Sequence, residues 1–249
     1  MPSPPPHDPA ASGLLLQGAG VTLSGRAVLS EITLHLTEPR IAILGRNGSG
    51  KTTLLRLIAG LIAPSMGRVQ VDGIDPSTDR RALLPRLGIL FQNPDHQILF
   101  PTVAEELAFG LVQLGLSRRE AAARVTAHLA QAGRATWAEA PIATLSQGQK
   151  QWLCLQAVLL MQPATILLDE PLSGLDLPTQ ARLTRLFATL PQRLVTITHD
   201  PATATGADRV IWLDAGRVAA DGPPAEVLPA FVAEMERLGG QDADADLAR

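Results

Sequence analysis

The sequence predicts an α/β protein built around a largely parallel sheet, and three observations predict this fold class. Short apolar runs alternate along the chain with stretches of helical periodicity, a pattern typical of sheets flanked by helices. One apolar run leads through a glycine-rich loop into a helix-forming segment. Hydrophobic residues make up 46% of the 249 positions, which is enough to fill a buried core.

The predicted elements follow one another in a consistent order. Three short strands come first, and a buried strand then leads into the glycine-rich loop and a helix that begins near Lys51. Two more strands complete a first half, and the second half returns to alternating strands and helices. The predicted strands are 14–16, 21–23, 32–36, 41–44, 69–71, 87–90, 166–168, 194–197 and 210–213, with a further helix near 180–190.

A helical segment separates the two halves. From Val103 to about Met161 the apolar residues recur at helical spacing, and Ser117 with Glu120 forms a capping box. Residues 1–12 are rich in Pro, Ser and Ala and predict a disordered leader. The acidic end beyond Gly239 predicts a frayed tail.

Charge and composition narrow the functional classes. A formal charge of −3 leaves no excess of basic residues to neutralise a nucleic-acid backbone, so no nucleic-acid partner is expected. The chain has no run of about 18 apolar residues, and its start lacks an apolar signal core, so we expect it in the cytoplasm. The single cysteine, Cys154, lies among apolar neighbours and is expected to fill the core.

The glycine-rich loop has the spacing of a P-loop, which binds nucleotide phosphates. Glycines let backbone N–H groups surround a phosphate, and Lys51 brings a mobile ammonium to its oxygens. The Thr52 hydroxyl is placed to ligate Mg²⁺. Only two of the 21 Lys and Arg residues are lysines, Lys51 and Lys150, which is consistent with a need for a compact charge. The predicted phosphate-binding residues are Gly45, Arg46, Asn47, Gly48, Ser49, Gly50, Lys51, Thr52 and Thr53.

Three further motifs lie in the second half of the chain. The strand 166–168 ends in Asp169 and Glu170, at the sheet edge where ligands bind, so Asp169 is a candidate Mg²⁺ ligand and Glu170 a candidate base. Ser146 and the two residues after it precede a long apolar helix, whose N-terminus favours anions. His199 directly follows the strand 194–197.

These motifs, in this order, resemble the ATP-binding subunit of ABC transporters over about residues 13–222. The resemblance implies a RecA-like mixed or parallel sheet core, an antiparallel β subdomain, a helical subdomain inserted at about 93–161, and a C-terminal helix and tail at 223–249. It identifies 145–149 as the signature motif. It also identifies further functional residues, namely Gln92 of the Q-loop, Asp176 of the D-loop and the switch histidine His199.

The resemblance further implies ATP hydrolysis with Mg²⁺. Glu170, His199 and Gln92 would be catalytic, and Thr52, Gln92 and Asp169 would hold the metal. Two chains, identical or different, would pair head to tail. Ser146 and Gly148 would contact the nucleotide of the opposite chain, and Gln149 and Asp176 would also bind nucleotide.

Two positions depart from the family pattern. Gln147 stands in the signature where a glycine is usual, so the backbone there is expected to be less free. Ser24 stands where an aromatic residue normally stacks on adenine, and the chain contains no tyrosine.

The segment 91–103 is similar to the energy-coupling factor branch, and residues 38–41, 96–97 and 148–151 are similar to the biotin-import ATPases of that branch. The implied partners are a transmembrane coupling protein and a substrate-binding membrane protein, with this chain at the cytoplasmic face of the membrane. Two alternatives remain open: an ATPase of a cobalt or nickel importer, and a soluble regulatory protein that binds nucleotide. Asp95 and His96 lack a third neighbouring ligand and do not predict a metal site.

Overall fold

The computed structural model describes residues 13–239 and confirms the α/β class. The predicted leader at 1–12 and the tail beyond residue 239 lie outside the described residues. The strands within this range are β1 Leu14–Leu23, β2 Arg26–Leu36, β3 Arg40–Leu44, β4 Met66–Val71, β5 Leu87–Leu90, β6 Thr165–Asp169, β7 Arg193–Thr198, β8 Arg209–Asp214 and β9 Arg217–Gly222. The α-helices are α1 Lys51–Ile58, α2 Arg80–Leu83, α3 Val103–Gln113, α4 Arg118–Gln131, α5 Gln147–Leu160, α6 Leu177–Thr189, α7 Pro201–Ala204 and α8 Pro224–Gly239.

The described residues divide into two compact units. The first comprises residues 13–75 and 195–239, and the second comprises residues 76–194. Within 13–239, every helix is either too short or too polar to span a lipid bilayer.

The first unit contains a three-stranded antiparallel sheet in the order β2-β1-β4. The prediction of two separate strands at 14–16 and 21–23 is wrong. A single strand, β1, runs through both ranges, and β-bulges accommodate the irregular stretch between them. Ser24 and Gly25 form a two-residue turn into β2, with φ of 50° and 78°. Positive φ at both positions suits the right-handed twist of a hairpin.

The same unit holds the strand that leads into the glycine-rich loop. β3 pairs in parallel with β8, and β8 pairs antiparallel with β9, so parallel and antiparallel pairings are combined. Ile41 to Leu44 are buried, and Ala42 and Leu44 pack with Val227 and Phe231 of α8. This packing gives the loop a rigid base.

One side chain ties several segments of the first unit together. Arg209 on β8 donates to both carboxylate oxygens of Asp221 at 2.7 Å, to Glu38 Oε1 at 3.0 Å and to the His35 carbonyl at 2.9 Å. Burial opposes ionisation of Glu38, but hydrogen bonds from the Glu38 and Thr37 backbone and from Arg209 outweigh it and lower the pKa of Glu38. The charged form of this cluster is therefore favoured in the folded chain.

We expect Arg209→Met to lower the free energy of unfolding by about 1–2 kcal/mol at pH 7, because three acceptors lose their donor. Since the folded pKa of Glu38 lies below its ordinary value of 4.5, its share of this stability should be lost as the pH falls through the folded pKa. Urea unfolding at pH 7 and at acidic pH measures both effects. Arg217→Met is the control, since the side chains of Arg217 and its partner Glu31 are 63% and 68% exposed. If this variant lowered the free energy of unfolding by more than about 0.5 kcal/mol, the Arg209 cluster would not differ from an exposed ion pair.

The second unit combines two strands with a helical layer. β5 pairs in parallel with the fully buried β6, and α5 packs on them through Cys154, Leu155 and Val158. Cys154 is buried as predicted, and burial raises the pKa of its thiol to about 12. The helices α3, α4 and α5 share a second core, and the predicted capping box at Ser117 and Glu120 begins α4.

Candidate nucleotide-binding and hydrolysis site

The P-loop lies between β3 and α1, as predicted. Gly50 is the N-cap residue of α1 and has φ of 103°, a backbone conformation that is strained for any residue with a side chain. A side chain at Gly45 would collide with the Leu213 carbonyl and the Ser49 hydroxyl. The loop therefore requires glycine at both of its ends.

The loop is closed around the Lys51 ammonium. Lys51 Nζ donates to the carbonyl oxygens of Gly45 at 2.6 Å and Arg46 at 2.9 Å, and the residue is only 7% exposed. Within residues 13–239, the buried Ser49 hydroxyl has no hydrogen-bond partner. An ammonium, an unsatisfied hydroxyl and the N–H groups of a helix start lie together, and this combination suits a phosphate group.

The outer part of the loop is exposed. Arg46, Asn47 and Gly48 reach solvent, and Arg46 pairs with Asp214 at 3.4 Å. The Thr52 residue that follows Lys51 is also exposed, whereas Thr53 is half-buried. The loop can therefore accept a ligand from solvent without opening the core beneath it.

The strand β6 carries the predicted acidic pair. Asp169 is its last residue and is buried, and Glu170 follows it with φ of 47°. A left-handed conformation costs a residue with a side chain about 1–3 kcal/mol, and such strain gathers at functional sites. The sharp turn fixes the Glu170 backbone directly beyond the strand end.

Gln92 lies just beyond β5 in the same unit. Its Nε2 donates to the Ser173 hydroxyl at 3.4 Å, so the segment after β5 contacts the segment after β6. Ser173 lies three residues before Asp176 of the predicted D-loop, and the sequence did not predict this contact.

The signature residues form the start of α5. Ser146 is the N-cap residue, its hydroxyl accepts from Gln149 N, and the Gln149 side chain accepts from Ser146 N at 2.7 Å. Gln147 is the first helical residue and does not have a positive φ. Glutamine adopts this helical conformation without strain, and the expected loss of backbone freedom relative to glycine stays a prediction.

A cavity of about 670 Å³ lies beside these residues in the second unit. Ser146, Gly148 and Gln149 line it together with Asp176, so the structure brings the signature and D-loop residues to one place. The sequence analysis did not identify other lining residues, because none of them belongs to a recognised motif: Arg134, Trp137, Trp152, Thr179 and Arg182. The Arg134 guanidinium lies 4.2 Å from the centre of the Trp152 ring.

Asp176 is the N-cap residue of α6, and its carboxylate accepts from Thr179 N at 2.9 Å. Hydrogen bonds from the side chain and backbone of Thr179 lower the pKa of Asp176. This cap also explains why α6 begins at Leu177, earlier than the predicted start near residue 180.

The remaining predicted residues lie in the first unit. His199 is exposed and directly follows β7, before the Asp200 N-cap of α7. Ser24 lies in the hairpin turn between β1 and β2 and has a positive φ. This backbone conformation is unfavourable for a residue with a bulky aromatic side chain. Its neighbour Leu23 is 45% exposed.

Comparisons with known proteins identify the family. Residues 29–173, more than half of the chain, match the ABC transporter family. The chain is 55% identical over 214 residues to the biotin transport ATP-binding protein BioM of Rhodobacter capsulatus, covering 86% of this chain and 92% of that protein. It is 38% identical to the energy-coupling factor transporter ATP-binding protein EcfA1 of Ligilactobacillus salivarius, covering 81% and 74% of the two chains.

The structural comparison agrees with the sequence matches. The solved structure of cbiO1 from Clostridium perfringens, described as part of the ABC transporter complex cbiONQ, superposes with a TM-score of 0.74 at 31% identity. The match covers 91% of this chain and 95% of cbiO1. The chain therefore belongs to the ABC transporter family and is one of its ATP-hydrolysing, ATP-binding subunits.

Proposed function

We propose that this chain is the ATPase subunit of an energy-coupling factor importer and that the imported solute is biotin. The observation that carries the proposal is the 55% identity to a biotin transport ATP-binding protein over 92% of that protein's length. The similarity to an energy-coupling factor ATPase supports the branch.

Phosphate binding is assigned to the P-loop of the first unit. The Lys51 ammonium lies against the Gly45 and Arg46 carbonyls, and phosphate oxygens are stronger acceptors to which its flexible side chain can turn. The unsatisfied Ser49 hydroxyl and the backbone N–H groups at the start of α1 supply further donors. The remaining loop residues, Asn47, Gly48, Gly50 and Thr53, complete the cradle.

The proposed Mg²⁺ ligands are Thr52, Gln92 and Asp169. They offer hydroxyl, amide and carboxylate oxygens, which are the hard donors that Mg²⁺ prefers. When bound, the ion would neutralise charge on the β- and γ-phosphates.

Hydrolysis is assigned to Glu170 and His199. The Glu170 carboxylate would orient the attacking water and accept its proton, and its strained backbone restricts where the carboxylate can lie. His199 would donate a hydrogen bond to the γ-phosphate as negative charge moves toward the leaving group. Gln92 would position the water together with Glu170.

Two ATPase chains, identical or different, would form the working dimer. The exposed Ser146 hydroxyl and the N-terminus of the 14-residue helix α5 present anion-binding groups to an opposite chain. Each nucleotide would lie between the P-loop of one chain and Ser146, Gly148, Gln149 and Asp176 of the other. ATP binding would close the pair, and hydrolysis would release it.

An apolar patch after the Gln92 loop supports a membrane partner. Leu99 is 67% exposed, and the exposed Phe109 ring lies 5.2 Å from the Phe100 ring. The buried Glu106 carboxylate accepts from the Leu99 and Phe100 N–H groups and holds this loop in place. We assign the patch to the transmembrane coupling protein, which would place the chain at the cytoplasmic face of the membrane, next to the substrate-binding membrane protein.

The test is biotin uptake into proteoliposomes that contain this chain with the coupling protein and substrate-binding protein of the same organism. We expect ATP inside the vesicles to drive uptake of radiolabelled biotin, and Glu170→Gln to abolish it. Uptake of ⁶³Ni²⁺ or ⁵⁷Co²⁺ is measured in parallel. Uptake of the metal ion but not of biotin would mean that the imported solute is a metal ion. ATP binding without hydrolysis, and without uptake of either solute, would favour a soluble regulatory role.

A further inference from the structure

An ion pair joins the signature helix to the segment that follows Gln92. Lys150 Nζ lies 2.7 Å from Asp95 Oδ1, with the two side chains 19% and 55% exposed. Lys150 belongs to the first turns of α5, and Asp95 lies in a short 3-10 helix at Pro94–His96. The pair therefore bridges two motifs that are about 55 residues apart in sequence.

The same two segments touch again one helical turn further along. The Gln97 amide donates to the Cys154 carbonyl at 3.5 Å, and the Cys154 thiol lies 3.9 Å from the Pro94 carbonyl. The 3-10 helix is thus docked on α5 by two neutral contacts and one charged contact. The charged contact is the one nearest to the signature serine.

Short, rigid connections link each end of the pair to a motif. On one side, Asn93 follows Gln92, and its side chain accepts from Asp95 N at 3.0 Å. On the other side, Lys150 N donates to the Ser146 carbonyl at 2.9 Å. A movement of Gln92 can therefore be transmitted to Ser146 through these hydrogen bonds and the ion pair between them.

The residue type fits a movable contact. Lys150 is one of only two lysines in the chain. A single ammonium can keep its contact with one carboxylate oxygen while the two segments rotate, whereas a guanidinium would favour a fixed two-pronged geometry.

We propose that Lys150 and Asp95 are positioning residues that keep the signature helix aligned with the Gln92 loop, so that the state of the nucleotide in one chain sets the position of Ser146 in the same chain. The inference rests on the proposed ATP-hydrolysing dimer. Neither residue is among the nucleotide-binding residues assigned above, and their effect is on how often Ser146 reaches the opposite site in a productive position.

The experiment compares Lys150→Met, Asp95→Asn and the double variant in steady-state ATP hydrolysis. We expect each single variant to lower kcat about fivefold to tenfold, with KM for ATP within about twofold of wild type. The double variant should be no slower than either single variant, because all three lack the same contact. Melting temperatures should fall by less than about 3 °C, since a partly exposed ion pair contributes little stability.

Two controls separate this inference from the proposed function. Arg237→Met removes an exposed ion pair on α8, between Arg237 and Glu234, and should leave kcat unchanged. Wild type that does not hydrolyse ATP would contradict the proposed function itself. If wild type is active and Glu170→Gln is inactive, then unchanged kcat in the single variants, or losses that multiply in the double variant, would overturn the positioning role alone.

Discussion

The Glu170→Gln variant should hydrolyse ATP at least about 100-fold more slowly than wild type, while its affinity for ATP stays within about threefold. A glutamine keeps the size of the side chain and its hydrogen bonding but cannot accept a proton from water, and general-base catalysis contributes about 10²–10⁴ in rate. The left-handed backbone at residue 170 constrains both side chains equally, so the change is confined to the acid–base chemistry.

A second consequence follows if the two chains pair through ATP. Because hydrolysis releases the pair, the slow variant should accumulate as an ATP-bound dimer, which gel filtration with and without ATP would detect. Glu139→Gln is the control, since it makes the same chemical change at an exposed acid. Phosphate release by Glu170→Gln at the wild-type rate would remove the catalytic role from this residue.

The Lys51→Met variant should lose ATP binding as well as hydrolysis. The ammonium is the charged group at the centre of the P-loop, and methionine has a similar length with no charge and no donor. In wild type, ATP at 100 times its Kd should stabilise the fold by about 2.7 kcal/mol, which corresponds to a rise in Tm of about 5–10 °C. Lys51→Met should show no such rise.

The comparison must use the ATP-dependent change in Tm of each variant, because methionine also deprives the Gly45 and Arg46 carbonyls of their donor. Arg56→Met is the matched control, since Arg56 is an exposed cation on the same helix, α1. It should keep the full rise in Tm. An ATP-dependent rise in Lys51→Met equal to that of wild type would contradict the assignment of Lys51 to phosphate binding.

Features that depend on a few neighbouring residues were predictable from the sequence. The P-loop was found because its strand, glycines, lysine and helix lie within about 20 residues and each is required by local backbone geometry. The capping box at Ser117 and Glu120 closes over one helical turn. The strand that ends in Asp169 was visible because a fully buried strand consists of consecutive apolar residues.

The sequence did not reveal features of backbone conformation that depend on the surrounding structure. The composition of β1 does not show that β-bulges would join its separate apolar runs, because the register depends on the neighbouring strands. The sequence also did not reveal that Gln147 is the first residue of α5 and lies in ordinary helical backbone. The sequence also gave no sign of the left-handed backbone at Glu170, because the surrounding packing holds the residue in this strained conformation.

The fold class could be predicted from the sequence, and so could the positions of the phosphate loop and of the acidic, signature and histidine motifs, because these are local patterns of residue type. Which of these residues lie together is known from the folded structure alone: Gln92 with Ser173, Asp95 with Lys150, and the signature residues with Asp176 and Arg134 beside one cavity. Each of these contacts joins segments that are far apart in the chain. Their formation depends on the packing of whole helices and strands, and no short pattern of residues specifies it.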